Sequence, residues 1–419
     1  MEIIKDYNEI TKKIEFIANR FNFQNPNIKK IQISVNEIID LIKTKGLKAL
    51  KDLTEKYDHQ KIENFQVSAK GKFNLLNQEQ KQAILLAKSR IESFQKNCLP
   101  QNHILKDENN CLTMVFKPIE SVGVYIPGGN APLLSSVLMT VIPAQIANVK
   151  RIVIVSPPPI HDYILAVADC LGIEEIYQIG GAQAIASLAF GIEEINLKAV
   201  DKIVGPGNFY VTLAKKEVFG TVGIDALYGP SEIFIIADKN ANPKSIAFDL
   251  MGQLEHGSGL EAACFLTDSE ELANQVSNHF NELIELQKNK KAIKNALANY
   301  SIIGIVESLD KCFDLANYFS PEHLELKITD SHLYVDKIKN SGAVFLNQSN
   351  EALGDYLAGP SHCLPTGRSA RFSSGLSVYD FLKSSSLVNL KATDELRKAT
   401  AILARMEGLE AHACSAENV

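Results

Sequence analysis

The stretch "RIVIVSPPPIHDYILAVADCLGIEEIYQIGGAQAIASLAFG", residues 151–191, alternates between two periods. It opens on a run of Ile and Val and continues with apolar residues spaced at three and four as far as Gly172. It then returns to a short apolar run at "EEIYQIGG" (174–181) and closes on "AQAIASLAFG" (182–191), helical again and again ended by glycine. A short β-branched run reads as a strand, and three-and-four spacing with a terminal glycine reads as a helix. The strands are apolar throughout, not at every second residue. Both of their faces must therefore be covered, which is the condition of a parallel sheet flanked by helices.

The alternation continues downstream. "VDKIVGPGN" (200–208) is a strand with a turn, "FYVTLAKKEVFG" (209–220) a helix and "EIFIIAD" (232–238) a strand. A second series follows: "SIAFDLMGQLEHG" (245–257) as helix, "AACFLTD" (262–268) as strand, and a long helix over 269–289. "SIIGIVES" (301–308) is then a strand, "LDKCFDLANYFS" (309–320) a helix and "GAVFLN" (342–347) a strand. Two α/β units are therefore expected. Upstream, residues 6–21, 34–58 and 77–97 carry helical periodicity, and "LTMVFKPIESVGVYIPGG" (112–129) switches to strands and a glycine turn. Because that switch opens a new series directly after helices, the first domain reads as split in sequence. Residues 393–419 read as one helix with a polar tail.

Bulk properties narrow the function. The chain has 419 residues, 46% hydrophobic and 22% charged, with a net charge of −6. That is room for two or three domains at ~100–200 residues each. No Lys/Arg block supplies a nucleic-acid footprint. No apolar run approaches the ~20 residues of a membrane helix. The first twenty residues lack a signal-peptide core, so a cytoplasmic protein is expected. Seven scattered cysteines without a CxxC read as reduced thiols rather than a disulfide frame or a Cys-zinc site. Cys363 beside His362 has no positioned base in the sequence and reads as a core thiol.

Four potential metal ligands stand far apart, each in a distinctive phrase: Gln253 and His256 in "FDLMGQLEHGSG", Asp355 in "EALGDYLAGPSHCLPTG" and His412 in "MEGLEAHA". Gln253 and His256 are three apart on a helical pattern and share a face. Imidazole suits zinc, and an amide oxygen is a tolerable ligand. Taken alone, the pair equally fits a polar helix end, Asp355 a turn carboxylate, and His412 a solvated surface residue. "NYFSPEHLEL" places Glu322 directly before His323, a candidate acid/base pair, since His titrates near neutral pH and a carboxylate can share its work. Three glycine turns, "YIPGGNAP", "IGGAQA" and "GPGN", follow strands and offer backbone N–H groups to a nucleotide, though none matches G-x-G-x-x-G.

Taken together these phrases resemble the histidinol dehydrogenase family from about residue 27 to the C-terminus. The likeness rests on "GVYIPGG", "GGAQAIASLAFG", "VDKIVGPGN", "GPSEIFIIAD", "QLEHG", "SPEHLEL", "ALGDYLAGPSHCLPTG", "ARFSSGLSVYDFLK" and "EGLEAH", in that order. The resemblance implies a cytoplasmic enzyme that oxidises L-histidinol to L-histidine through an aldehyde, the last step of histidine biosynthesis, by two hydride transfers to NAD. It implies one zinc per subunit, bound by Gln253, His256, Asp355 and His412, with His412 donated by the other subunit of a homodimer. Ser231, Gln253, His256, His323, Asp355, Glu407 and His412 would contact substrate, and His362 would line the same pocket. His323 would be the general base and Glu322 would activate water. Tyr125, Gln183 and Asn208 would contact NAD.

The fold so implied is α/β, with two Rossmann-like parallel-sheet domains, a helical N-terminal segment and a C-terminal helical tail, in an intertwined homodimer. The expected division is a helical arm over 1–27, a first α/β domain over 28–125 plus 238–380, a second over 126–237 on the NAD side, and a tail over 381–419 that completes the partner's site. Departures from the family pattern fall at Gly252, at "HGSGLEAA", at Tyr228 and at Arg368, none of them a ligand or a member of the Glu322–His323 pair. Competing readings are a related zinc/NAD dehydrogenase acting on another small alcohol, a zinc hydrolase, and a non-catalytic assembly protein that has kept the fold.

Overall fold

The computed structural model describes residues 1–20, 26–107, 110–128 and 132–419. The chain forms two compact units, one of Met1–Cys98 with Ile119–Phe381, the other of Leu99–Pro118 with Leu382–Val419.

The larger unit contains two parallel sheets. The six-stranded sheet runs in the order Ile3–Ile4, Ser301–Ile305, Ala262–Thr267, Glu232–Ala237, His323–Lys327, Ala343–Leu346. Its central strands Glu232–Ala237 and Ala262–Thr267 are buried at every residue. Side chains alternate across a strand, so successive apolar residues feed two cores. Phe234, Ile236, Cys264 and Leu266 pack under the helices Tyr7–Ala18 and Leu309–Phe319. Ile233, Ile235, Ala263 and Phe265 pack under Pro243–Leu254, Glu270–Ile284 and Lys290–Tyr300.

The five-stranded sheet runs Glu175–Gln178, Arg151–Ser156, Ser121–Tyr125, Lys202–Val204, Gly223–Ile224, again all parallel. One face is covered by the helices Pro26–Asp58, Gly181–Phe190 and Phe209–Val218. The helix Leu134–Ile146 is buried over ten consecutive residues and packs on the central strand. Pro26–Asp58 is kinked where Gly46 leaves helical geometry at φ 49°.

The smaller unit is an antiparallel three-stranded sheet, Leu382–Asn389 beside Cys111–Pro118 beside His103–Lys106, followed by the helices Asp394–Met406 and Glu410–Glu417. The C-terminus is therefore two helices, not one with a tail. Gly408, at φ 76°, breaks the chain between them. Arg405 bridges the break through Glu410 and Glu417, and Ala401, Ala404 and Ala413 form a small-residue seam.

The sheets allot strands differently from the expected boundaries at 125/126 and 237/238. Ser121–Tyr125 is the centre of the five-stranded sheet, and Glu232–Ala237 lies inside the six-stranded one. Residues 3–18 add a strand and a helix to the six-stranded sheet, so they are not a separate arm, and Pro26–Asp58 packs on the five-stranded sheet. The physical reason is that the central strands of both parallel sheets are largely apolar runs. Alternation identifies such a strand but carries no label for its sheet. Among the described residues no helix is long and apolar enough to cross a membrane, and all seven cysteines are free thiols.

Candidate active site

The helix Leu309–Phe319 ends on Ser320 in the left-handed region, and Pro321 bars its continuation. Glu322 and His323 follow at the amino end of a central strand, beside Glu232–Ala237, with His323 in register with Ile233. The two segments lock to each other. Glu232 N–H donates to Glu322 Oε2 at 2.9 Å, and Glu322 N–H donates to Glu232 Oε2 at 3.3 Å. His323 Nδ1 lies 3.2 Å from the Glu232 carbonyl, and its Nε2 lies 3.2 Å from Asp355 Oδ1. Its ring stacks on Phe345 at 5.9 Å.

Both ring nitrogens of His323 therefore face oxygen acceptors, which is the arrangement of an imidazolium. Burial opposes that charge, but the carboxylates of Asp355, Glu322 and Glu351 outweigh it and hold the ring well above its ordinary range. Glu322 is almost fully buried, and desolvation raises its carboxyl to about 8 despite the neighbouring His323.

Asp355 lies in a π-helical turn, Gly354–Ala358, that follows the single turn Glu351–Leu353. Such wide turns re-aim a side chain and recur at functional sites. Gly354 has a steric cause: a Cβ there would lie 2.1 Å from the Phe345 ring. His362 Nδ1 is 3.1 Å from the Asp355 carbonyl, and its Nε2 is 3.2 Å from Ser136 Oγ. Gln253 and His256 come from the end of Pro243–Leu254 and the residues just after it. Gln253 is fully buried; with its amide turned so that both ends are satisfied, its N–H₂ faces both Glu351 carboxylate oxygens at 2.8 Å and its carbonyl accepts from Glu232 N–H at 3.2 Å. His256 is exposed, with Nδ1 3.2 Å from Ser231 Oγ.

The larger unit thus gathers Ser231, Gln253, His256, Glu322, His323, Asp355 and His362. His323, Glu351 and Asp355 offer ligand atoms within 4.8 Å of one another. One imidazole and two carboxylates at this spacing fit a divalent cation such as zinc. Glu407 and His412 belong to the smaller unit, one closing Asp394–Met406 and the other on Glu410–Glu417, and both are exposed. A cavity of about 950 Å³, lined by Phe94, Val344, Phe345, Leu353 and Leu364, reaches Asp355.

Tyr125, Gln183 and Asn208 follow the carboxyl ends of strands in the five-stranded sheet, where ligands of open parallel sheets bind. Tyr125 ends its strand and accepts from Gly181 N–H at 3.2 Å. Gln183 sits in the first turn of Gly181–Phe190, and Asn208 caps Phe209–Val218 by accepting from Tyr210 N–H and Val211 N–H. Gly205, at φ 108°, lets the "GPGN" turn lie against the Tyr125 carbonyl, where a Cβ would come within 2.2 Å. The hydroxyl and amide groups set around these turns have the chemistry to bind a ribose or an amide. Gly129, Asn130 and Ala131 of the first glycine turn lie outside the described residues.

A sequence profile of the histidinol dehydrogenase family matches residues 22–418. The chain is 41% identical to the histidinol dehydrogenase of Synechococcus sp. over 99% of its own length and 97% of that protein. It is 40% identical to that of Aquifex aeolicus, over 97% of this chain and 95% of the relative. The chain belongs to the histidinol dehydrogenase family. The crystal structure of histidinol dehydrogenase from Elizabethkingia anophelis superimposes with a TM-score of 0.90 at 35% identity, covering 99% of this chain and 96% of that one.

Within this histidinol dehydrogenase fold three of the four departures noted above have a defined local setting. Tyr228 is buried, donates to Asp225 at 2.9 Å and lies under the Lys215 ammonium, itself paired with Asp225. Arg368 stacks on Tyr318 at 4.2 Å. A Cβ at Gly252 would meet nothing within 4 Å, so this glycine leaves its surroundings unchanged.

Sequence reasoning missed three residues that hold this cluster together. Glu351 could have been found, since it precedes Asp355 by four residues and so lies near it on one face. Burial raises its carboxyl to about 8. Glu232 and Arg20 left no signal. Arg20 reaches from the N-terminal segment to the Leu260 carbonyl at 2.7 Å, the Pro230 carbonyl at 3.2 Å and the Glu232 carboxylate at 2.9 Å. It thereby ties the Ser231 loop to the loop after His256. Arg20 and Glu232 side chains are each 1% exposed. Arg20→Met strands a buried carboxylate and is expected to lower unfolding free energy by about 3–5 kcal/mol in urea denaturation. Adding Glu232→Gln is expected to restore part of the loss.

Proposed function

We propose that this protein oxidises L-histidinol to L-histidine through the aldehyde, with zinc and NAD, in a cytoplasmic homodimer of two Rossmann-like α/β domains per chain. The observation that carries this is the convergence of Glu322, His323 and Asp355, from separate segments, beside Gln253 and His256 in a chain of this family. Gln253, His256 and Asp355 of one chain and His412 of its partner would hold the zinc. When bound, the zinc supplies a template for the imidazole and amino nitrogens of histidinol, and NAD supplies the hydride acceptor.

The remaining work falls to side chains. Asp355, once committed to a cation, no longer serves as the anionic acceptor of His323 Nε2, which is then free to take the alcohol proton. The Glu232 carbonyl keeps Nδ1 protonated and the ring oriented. Glu322, buried against the Glu232 backbone, activates water toward the aldehyde, and His323 assists the second oxidation. Ser231 and Glu407 bind the substrate's polar groups, His362 lines the pocket, and keeping the aldehyde bound prevents loss of a reactive intermediate. Tyr125, Gln183 and Asn208 hold NAD.

Support for a dimer comes from apolar surface. Ile104, Leu105 and Val388 of the smaller unit's sheet are 65%, 70% and 66% exposed, and Leu403 and Met406 of its first helix are 61% and 78% exposed. Apolar surface of this extent on a soluble enzyme marks an interface. The test is a stoichiometry: two NADH per histidinol consumed, with turnover abolished by a chelator and restored by zinc. NADH from a different small alcohol and none from histidinol would favour the related-dehydrogenase reading, and hydrolysis without NAD a zinc hydrolase.

A further inference from the structure

Asp58 closes the long helix Pro26–Asp58 and comes to rest at the second glycine turn of the five-stranded sheet. Its Oδ2 accepts from Gln183 Nε2 at 3.3 Å. Its Oδ1 would be 3.0 Å from a Cβ at Gly180, and on the same side that Cβ would be 2.9 Å from Pro157 Cβ. Tyr125 joins the cluster through its hydroxyl, which accepts from Gly181 N–H at 3.2 Å. Gln183 is 2% exposed, so its amide is held in place, while Asp58 stays half-buried and keeps an open side.

This changes what the turn can bind. Gly181–Phe190 is a ten-residue helix whose N-cap, Gly180, provides no side-chain cap. A helix start of that kind ordinarily attracts phosphate. Here a carboxylate of the protein already lies against it and compensates the positive end of the dipole. A pyrophosphate at this turn would meet that anion at close range. A pair of neutral hydroxyls would instead find an acceptor in the open side of Asp58, which the buried Gln183 amide holds in place beside Tyr125.

We infer that Asp58 accepts hydrogen bonds from a ribose diol of the dinucleotide and repels a 2′-phosphate, so that this residue selects NAD over NADP. The inference rests on the NAD site proposed above. Its logic is that of the acidic residue that contacts the ribose in dinucleotide-binding folds, where a carboxylate on the 2′-hydroxyl disfavours the phosphorylated cofactor. Here the acid comes from a different part of the chain, the end of a helix that precedes the sheet altogether.

The experiment is calorimetric titration of NAD and of NADP into the zinc-loaded full-length protein with saturating histidine, for the unmodified chain, Asp58→Asn and Asp58→Ser. Circular dichroism checks that both variants are folded. The unmodified protein is expected to prefer NAD by about 100-fold. Each variant should lose about tenfold or more in NAD affinity, the range for one hydrogen bond to a charged group, and its preference should fall below about tenfold. A purely structural Asp58 would weaken both cofactors in parallel. An unchanged NAD/NADP ratio in either folded variant overturns the inference, as does an unmodified protein that binds both equally. If the unmodified protein binds neither dinucleotide, the NAD reading itself fails and this assignment falls with it.

Discussion

Replacing His323 by alanine is expected to lower kcat by about 10²–10⁴-fold, the usual contribution of a positioned acid/base group, while the zinc content of the purified protein stays unchanged. The two readouts separate because His323 is not among the four proposed ligands. It touches the site through Asp355 Oδ1 at 3.2 Å and is anchored from behind by the Glu232 carbonyl. Loss of the imidazole removes the proton acceptor for both oxidations, so the deficit should appear in kcat more than in KM. His323→Asn keeps a polar group of similar reach without a titrating nitrogen and should be nearly as slow. Full activity in either variant, with zinc in place, would remove His323 from the chemistry.

The second large effect is expected at the C-terminus. His412→Ala should lose zinc by at least the roughly 10–100-fold typical of changes around a metal site, and activity should fall with it. His412 is exposed on Glu410–Glu417. If it serves a second copy, inactive His323→Ala and His412→Ala chains should complement each other on mixing. Random exchange in a two-fold dimer leaves about one quarter of the sites intact, and activity should return to about that level. A site built wholly within one chain gives no recovery, because every subunit then carries a lesion in its own site. Full zinc occupancy and rate in His412→Ala alone would show that the tail plays no part.

Much of this centre was legible before any fold was known, and the reasons are local. Gln253 and His256 stand three apart on a helical pattern, though the helix ends at Leu254 and leaves Gln253 buried within it and His256 exposed just beyond it. Glu322 and His323 are adjacent after a proline, and Asp355 follows a glycine that proves to be forced by Phe345. The parallel sheets were legible because a strand buried on both faces is a nearly continuous apolar run, as "EIFIIA" after its Glu232 and "AACFLT" before its Thr267 are. Glu351 lay within reach of the same reasoning and was passed over, since a lone glutamate four residues from an aspartate is ordinary on a helix.

Composition, periodicity and phrase order thus decide the family, the α/β class and the residues able to do the chemistry, because these depend on neighbours along the chain. Tertiary structure decides the rest: which sheet receives Glu232–Ala237, that Glu232 and Glu322 clasp each other's backbone, and that Arg20 ties together two loops more than two hundred residues away. Asp58 meets Gln183 for the same reason. Contacts of such sequence separation are set by how apolar faces stack, and burial is blind to which distant polar group it carries along.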